Sequence, residues 1–179
     1  MRDTLETLCL LFLLKIIFKG ERKMRINFRD NILEIEDARI IYRNFAGVGS
    51  KFNREGDRNF AVIVDSEEAK DILVEEGWNV KIKDPREGYD EPFMFLPVKI
   101  KFNNRGPAAY VKSGDSVTRL NEDTIEMLDE IDIASVDLDL RPYDWDVNGK
   151  TGRTAYLQAI NVTQNIDRFG ARYAAEEML

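Results

Sequence analysis

The chain has 179 residues, of which 44% are hydrophobic and 33% are charged, and its formal net charge is −7. This length and mixture suit one globular domain with a real core and exclude a wholly disordered chain. Because the sequence holds one cysteine, Cys9, and no histidine, it excludes an intrachain disulfide, a Cys/His zinc site, a Ser-His-Asp triad and a Cys-His dyad. A carboxylate-only metal site stays open, and the unpaired cysteine fits a reducing cytoplasm.

The first 23 residues differ in pattern from the rest. The apolar run from Leu8 to Leu14 is split by Lys15 from the apolar residues that follow, so it is too short for a membrane span and lacks the features of a signal peptide. We interpret residues 1–23 as an extension from an upstream translation start, and residues 24–179 as one domain that begins at Met24. A short amphipathic helix is the next alternative, and a membrane anchor is the last.

Two strands and a helix are predicted next. Residues 38–45 and 59–64 are rich in β-branched and aromatic residues, which favours strands, and a glycine-containing loop joins them. Ser66 then has the position of a helix N-cap, and Gly77 that of a helix end.

Alternation of apolar and polar residues predicts two further strands. In residues 78–83 it places Trp78, Val80 and Ile82 toward the core. In residues 93–102 it predicts that Met94, Leu96, Val98, Ile100 and Phe102 face inward and that Phe93, Phe95, Lys99 and Lys101 face outward. Pro97 favours an edge strand or a bulge.

The last third of the chain predicts a helix, a hairpin and a closing helix. Asn121 has the position of a cap for a second helix, and Asn148-Gly149 is the turn of a hairpin over residues 135–163. A short C-terminal helix is predicted from about Asn165. The fold class is therefore α+β and mainly β: an OB-fold-like five-stranded barrel with one or two inserted helices.

Charge is unevenly distributed along the chain. Residues 115–146 hold eleven acids and two arginines, whereas residues 39–60 hold five cations and two acids, with aromatic residues between the cations. Single-stranded nucleic acid requires cations that follow the phosphates and rings that stack on unpaired bases, so residues 39–60 favour such a ligand. The alternative is a solvated strand edge with core aromatics.

Outward lysines add to this pattern. If residues 78–83 and 93–102 pair, Lys81, Lys83, Lys99 and Lys101 form a ladder of like charges, which favours an anionic partner. The alternative is that these lysines only protect exposed sheet edges.

The hairpin leaves one orientation open. Val136, Leu138 and Leu140 share one strand face, and Tyr143 and Trp145 have the opposite parity. In an unbroken strand these two aromatic residues lie on the outer face beside Arg141, whereas a bulge at Arg141-Pro142 returns them to the core. For Trp145 the core is the favoured placement.

Three segments, YRNFAG…KFNREGDRNFAVIVD, EEGWNVKIK and RPYDWDVNGKTGRTAYLQAINVT, resemble a family of phage-encoded OB-fold single-stranded DNA-binding proteins over roughly residues 37–174. The resemblance implies coating and protection of exposed strands in DNA replication or recombination. It also implies candidate positions at Tyr42, Arg43, Phe45, Phe52, Arg58, Tyr143, Trp145, Lys150 and Tyr156. The ending AAEEML is no long acidic tail, which puts tail-mediated recruitment of partners in doubt.

The sequence thus predicts a non-enzymatic, sequence-tolerant single-stranded DNA-binding protein of the bacterial host cytoplasm, without cofactor, metal or membrane. Its partners are single-stranded DNA and replication or recombination proteins, and its oligomeric state is not determined by the sequence. The full candidate nucleic-acid-binding set is Arg39, Tyr42, Arg43, Phe45, Lys51, Phe52, Arg54, Arg58, Lys81, Lys99, Lys101, Arg141, Tyr143, Trp145, Lys150, Arg153 and Tyr156.

Three alternatives stay open. An OB-type RNA-binding protein uses the same stacking and phosphate contacts. An acidic protein-interaction or inhibitor module could use residues 115–146 to imitate nucleic acid. A metal-dependent nuclease requires Asp137, Asp139, Asp144 and Asp146 on one side, which strand alternation opposes unless a bulge intervenes.

Overall fold

A computed structural model describes residues 23–85, 87 and 92–166. The described residues form ten strands, one α-helix and one 3-10 helix, which we label in chain order. The strands are β1 (Arg25–Arg29), β2 (Ile32–Ala38), β3 (Ile40–Asn44), β4 (Arg58–Ile63), β5 (Lys81–Lys83), β6 (Phe93–Ile100), β7 (Ala108–Ser113), β8 (Ser116–Leu120), β9 (Ile133–Val147) and β10 (Lys150–Gln164). Helix α1 spans Glu67–Glu75, and the 3-10 helix spans Ile125–Asp129.

The β9–β10 hairpin is the longest element of the fold. Its turn has positive φ at Asn148 (53°) and Gly149 (78°), the backbone that a two-residue turn of this type requires and that Asn-Gly tolerates. The strands pair from Lys150–Val147 onward, and the register shifts at Gln158 and near the open end. The predicted hairpin is confirmed.

The strands form one open, mixed sheet in the order β1-β2-β9-β10-β6-β4-β3. β10 pairs in parallel with both β6 and β7, β5 adds to β6, and β8 adds to β7. The mainly β prediction is confirmed. The predicted five-stranded barrel is not, because the end strands β1 and β3 do not pair with each other in the described part of the chain.

The core is formed by the alternating apolar residues of the long strands. Met94, Leu96, Val98 and Ile100 are buried along β6, while Phe93, Phe95 and Lys99 point the other way, as the alternation predicted. Val136, Leu138 and Leu140 are buried along β9.

Helix α1 has the predicted ends. The Ser66 hydroxyl oxygen accepts a hydrogen bond from the Ala69 amide at 3.2 Å, a cap that contributes about 1 kcal/mol. Gly77, at φ 85°, reverses the chain, and the Trp78 amide then donates to the Leu73 carbonyl. Trp78 is 4% exposed, so its core placement is confirmed.

Three predictions about the elements need correction or lie outside the described residues. Trp78 follows the turn that ends the helix and lies outside the strand, which begins only at Lys81, and Ile82 is exposed. The second helix is one 3-10 turn, although the Asn121 side chain does accept amide hydrogen bonds from Asp123 and Thr124. The predicted C-terminal helix lies beyond residue 166, outside the described range.

The β1–β2 and β7–β8 hairpins were not predicted from the sequence. The β1–β2 turn has positive φ at Asp30 and Asn31, and Asp-Asn is a recognisable signal for such a turn.

The described residues contain no helix long and apolar enough to cross a membrane.

Candidate nucleic-acid interface

One face of the sheet carries most of the accessible candidates. Directly paired residues of neighbouring strands point to the same side of a sheet. The pairs Arg141–Tyr156, Tyr156–Lys99 and Lys99–Asn59 therefore define one surface across β9, β10, β6 and β4, which we call the outer face.

Two tyrosines and two cations meet on the outer face. The rings of Tyr143 and Tyr156 lie edge to face with centroids 5.9 Å apart. The Arg141 guanidinium lies 5.0 Å and the Lys101 ammonium 5.4 Å from the Tyr156 ring centroid. We call these four residues the hairpin cluster. Tyr143 is 53% exposed, so its ring is accessible.

The orientation of Trp145 differs from the favoured prediction. Pairing is continuous from Tyr156–Arg141 to Gly152–Trp145, with no bulge at Arg141-Pro142, so Tyr143 and Trp145 both lie on the outer face. The half-buried indole lies over Gly152, where an added Cβ would clash with the ring. Trp145 is thus shielded by a neighbouring strand and not by the core.

A second aromatic group lies where β3, β5 and β6 meet. The Tyr42 ring meets Phe93 and Phe95 edge to face, with centroids 6.4 and 5.7 Å away. The Lys83 ammonium lies 4.9 Å from the Tyr42 centroid and donates to its hydroxyl at 3.3 Å. We call these four residues the edge cluster. Outward alternation had indicated Phe93 and Phe95, but nothing in the sequence joined them to Tyr42.

Tyr42 has an unusual backbone. Its φ is 54°, and the β3–β4 register shifts between Ile41 and Asn44. A bulky residue with positive φ is an outlier that costs about 1–3 kcal/mol and that concentrates at functional sites. The neighbouring fold must maintain this conformation.

The loop of residues 45–57 presents Phe52 to solvent, and we call it the Phe52 loop. Inside it the Asn53 side chain donates to the carbonyls of Val48, Arg54 and Asp57. Asn59 donates to the Asn53 side chain at 2.7 Å, which ties the loop to the outer face. Phe52 is 87% exposed, with the Lys51 ammonium 4.7 Å from its ring centroid. The loop is therefore ordered while its ring stays accessible.

Two candidates at the base of this loop have structural partners. Phe45 is fully buried and stacks on Phe60 at 5.2 Å, so it cannot stack on a base in this conformation. The Arg43 guanidinium donates to the carbonyls of Leu128 and Ile131, both at 2.9 Å. Its charge is therefore directed at the 3-10 helix and not at the outer face.

Two further arginines are occupied on the opposite side of the sheet. Arg58 pairs with Glu122 at 3.0 Å and lies 5.3 Å from the Phe102 ring centroid. Arg153 donates two hydrogen bonds to Asp144, at 2.6 and 2.9 Å. Its hydrogen bonds hold the pKa of Asp144 below its ordinary value, and the same contact raises the pKa of Arg153.

The lysine ladder does not form as predicted. Lys81 pairs with Phe95 and Lys83 with Phe93, while Lys99 lies between Asn59 and Tyr156. Lysines therefore alternate with aromatic residues and do not oppose one another. The other exposed candidates are Arg39, Lys51, Arg54 and Lys150.

An acidic groove lies farther along the same hairpin. It encloses about 290 Å³, and its acidic lining residues are Glu34, Glu36, Asp137 and Asp139. The pKa of Asp139 is raised above its ordinary value, mainly by burial and to a lesser extent by the nearby Glu34 carboxylate. In the described ranges no group of three or more His, Cys, Asp or Glu residues could hold a metal ion.

The fold and the outer face define a mainly β, open-sheet protein with clustered rings and cations on one surface. The chain belongs to the family described as "Putative phage ssDNA-binding domain", whose sequence model matches residues 22–178. No curated protein matches the sequence.

Solved structures of a single-stranded DNA-binding protein from bacteriophage Enc34 are similar to this chain. The C-terminal truncation is 13% identical with a TM-score of 0.48, covering 81% of this chain and 97% of that one. The structure of the complex with ssDNA is 14% identical to this chain with a TM-score of 0.48, and the match covers 83% of this chain and 99% of that one. A third structure of the bacteriophage Enc34 protein is 14% identical to this chain with a TM-score of 0.47, and the match covers 83% of this chain and 94% of that one.

The arginine contacts generate a prediction about stability. Arg43→Ala should lower the free energy of unfolding by about 1–3 kcal/mol, because two partly buried carbonyls lose their donor. Arg54→Ala, in the exposed loop, should change it by less than about 0.5 kcal/mol. Urea denaturation of both variants measures this difference, and equal effects would contradict the assigned role of Arg43.

Proposed function

We propose that this protein binds single-stranded DNA on its outer face, without sequence preference and without catalysing a reaction. Family membership supports the ligand, and the hairpin cluster is the observation that supports the site. Tyr143 and Tyr156 supply π faces that any base can stack on, and Arg141 and Lys101 supply cations for the adjoining phosphates. The setting that we propose is phage DNA replication or recombination in the host cytoplasm.

The contacts divide the candidates into two groups. The accessible residues are proposed to contact DNA, and they are Arg39, Tyr42, Lys51, Phe52, Arg54, Lys81, Lys99, Lys101, Arg141, Tyr143, Trp145, Lys150 and Tyr156. Arg43, Phe45, Arg58 and Arg153 are proposed to shape the surface from behind, because each is buried or engaged by other groups.

Charge segregation supports DNA binding by an acidic chain. The acidic groove occupies one stretch of the β9–β10 hairpin, and the hairpin cluster occupies the stretch nearer the turn. Phosphates are repelled from the first and attracted to the second, so the net charge of −7 does not prevent binding. The presence of a ring-lined cationic face favours nucleic acid over an inhibitor that imitates it.

We propose more specifically that residues 24–179 form a single domain with an OB-like core. One part of β10 pairs with β6 and the next part pairs with β7, and the β9–β10 register shifts at Gln158 between them. Both features support a strongly curved sheet. Partly open Greek-key barrels of this class bind oligonucleotides on one sheet face.

Tyr143 provides the direct test of the site. Tyr143→Ala should weaken binding to oligothymidylate by about 1–3 kcal/mol, because a stacking face is removed. Tyr110→Ala is the matched control, since Tyr110 is also an exposed tyrosine but lines the acidic groove. The affinity of this control variant for oligothymidylate should equal that of the wild type. Fluorescence titrations measure both. Equal losses in the two variants, or none in either, would place DNA elsewhere.

Phe52 tests whether the loop takes part. Phe52→Leu should leave stability within about 0.5 kcal/mol of the wild type, because the ring is exposed, but should weaken binding by about 1–3 kcal/mol. Phe52→Trp should retain binding, because it keeps a π face. If leucine binds as well as tryptophan, the ring does not stack on a base.

A further inference from the structure

The edge cluster forms a built surface away from the hairpin cluster. Phe93 and Phe95 are mutually stacked at 5.7 Å and support the Tyr42 ring edge to face. Tyr42 itself is 43% exposed. The ring is therefore held in position from one side and is accessible from another.

Lys83 adds a cation to the same surface. Its ammonium lies 4.9 Å from the Tyr42 centroid and 5.3 Å from the Phe95 centroid. Among the described residues it has no carboxylate partner within ion-pair distance. An ammonium that rests against aromatic rings and a hydroxyl can be displaced by a base, and it can then pair with that nucleotide's phosphate.

We propose that Tyr42, Phe93, Phe95 and Lys83 form a second base-binding subsite for the same DNA strand. A base stacks on Tyr42 and displaces the Lys83 ammonium onto the adjoining phosphate. The inference rests on the proposed function, because the hairpin cluster holds another part of the strand.

The two clusters are connected along β6. Phe95 and Lys99 lie on the same face four residues apart, which is about 13 Å at roughly 3.3 Å per residue. Lys99 is paired with Tyr156 of the hairpin cluster. At the duplex spacing of about 3.4 Å per nucleotide of one strand, roughly four nucleotides span the distance from Phe95 to Lys99. Lys99, beside Tyr156 of the hairpin cluster, is placed to contact a phosphate between the two bound segments.

The backbone of Tyr42 allows a clean variant. At φ 54° glycine is accommodated without strain, so Tyr42→Gly removes the ring while the local conformation stays available. Lys83→Ala is the second variant, because Lys83 is exposed. Lys112→Ala, an exposed lysine on the β7–β8 hairpin, is the matched control for charge.

The test uses oligothymidylates of about 4 and about 12 nucleotides, within the range of sites on OB folds. Tyr42→Gly should weaken binding of the longer strand about 5- to 150-fold and leave binding of the shorter strand, held at the hairpin cluster, unaffected. Lys83→Ala should reduce the slope of log K against log salt for the longer strand by about 0.7, whereas Lys112→Ala should not.

Three outcomes are distinguishable. Wild-type affinity of Tyr42→Gly for both lengths overturns the second subsite, and so does an equal loss at both lengths, which would place Tyr42 within the first site. If the wild-type protein binds neither length, the proposed function itself fails. A thermal midpoint of Tyr42→Gly close to the wild-type value shows that any loss reflects the ring and not the fold.

Discussion

The pairing of β9 with β10 is the constraint on which the site depends. From Tyr156–Arg141 to Gly152–Trp145 the register is continuous, and it shifts only at Gln158 and near the open end. Because side chains alternate strictly between faces, this register places Tyr143 and Trp145 outside with Arg141, whereas a bulge at Pro142 would have turned both aromatic residues inward. The Asn148-Gly149 turn sets the register, so a two-residue turn determines which aromatic rings are accessible to a ligand.

Local features of the fold could be predicted from the sequence, whereas partners distant in sequence could not. The β6 alternation, the Ser66 cap and the Asn148-Gly149 hairpin all depend on residues close in the chain. Phe45 and Arg43 are engaged by residues more than 80 positions away, and no short-range pattern identifies such contacts. The edge cluster was missed for the same reason, since Tyr42 meets Phe93 and Phe95 only through the order of β3, β4 and β6 in the sheet.

Order in the Phe52 loop and strain at Tyr42 show how the fold supports accessible rings. Exposed aromatic side chains gain little stability from burial, so their positions must be maintained by other groups. In the loop this is achieved by the hydrogen bonds of Asn53 and by the Asp129 carboxylate, which accepts from the amides of Phe45 and Ala46. Rings positioned in advance lose less conformational entropy when a ligand binds.

Mapping the ligand on the protein tests the central claim most directly. Amide chemical shifts of the isotopically labelled protein, recorded with increasing oligothymidylate, report which backbone groups change environment. The proposed site predicts shifts at residues 141–145, at Lys99 and Lys101 and in the Phe52 loop, with little change around the acidic groove at residues 34–36 and 137–139. Shifts concentrated in the groove, with the outer face unchanged, would contradict it.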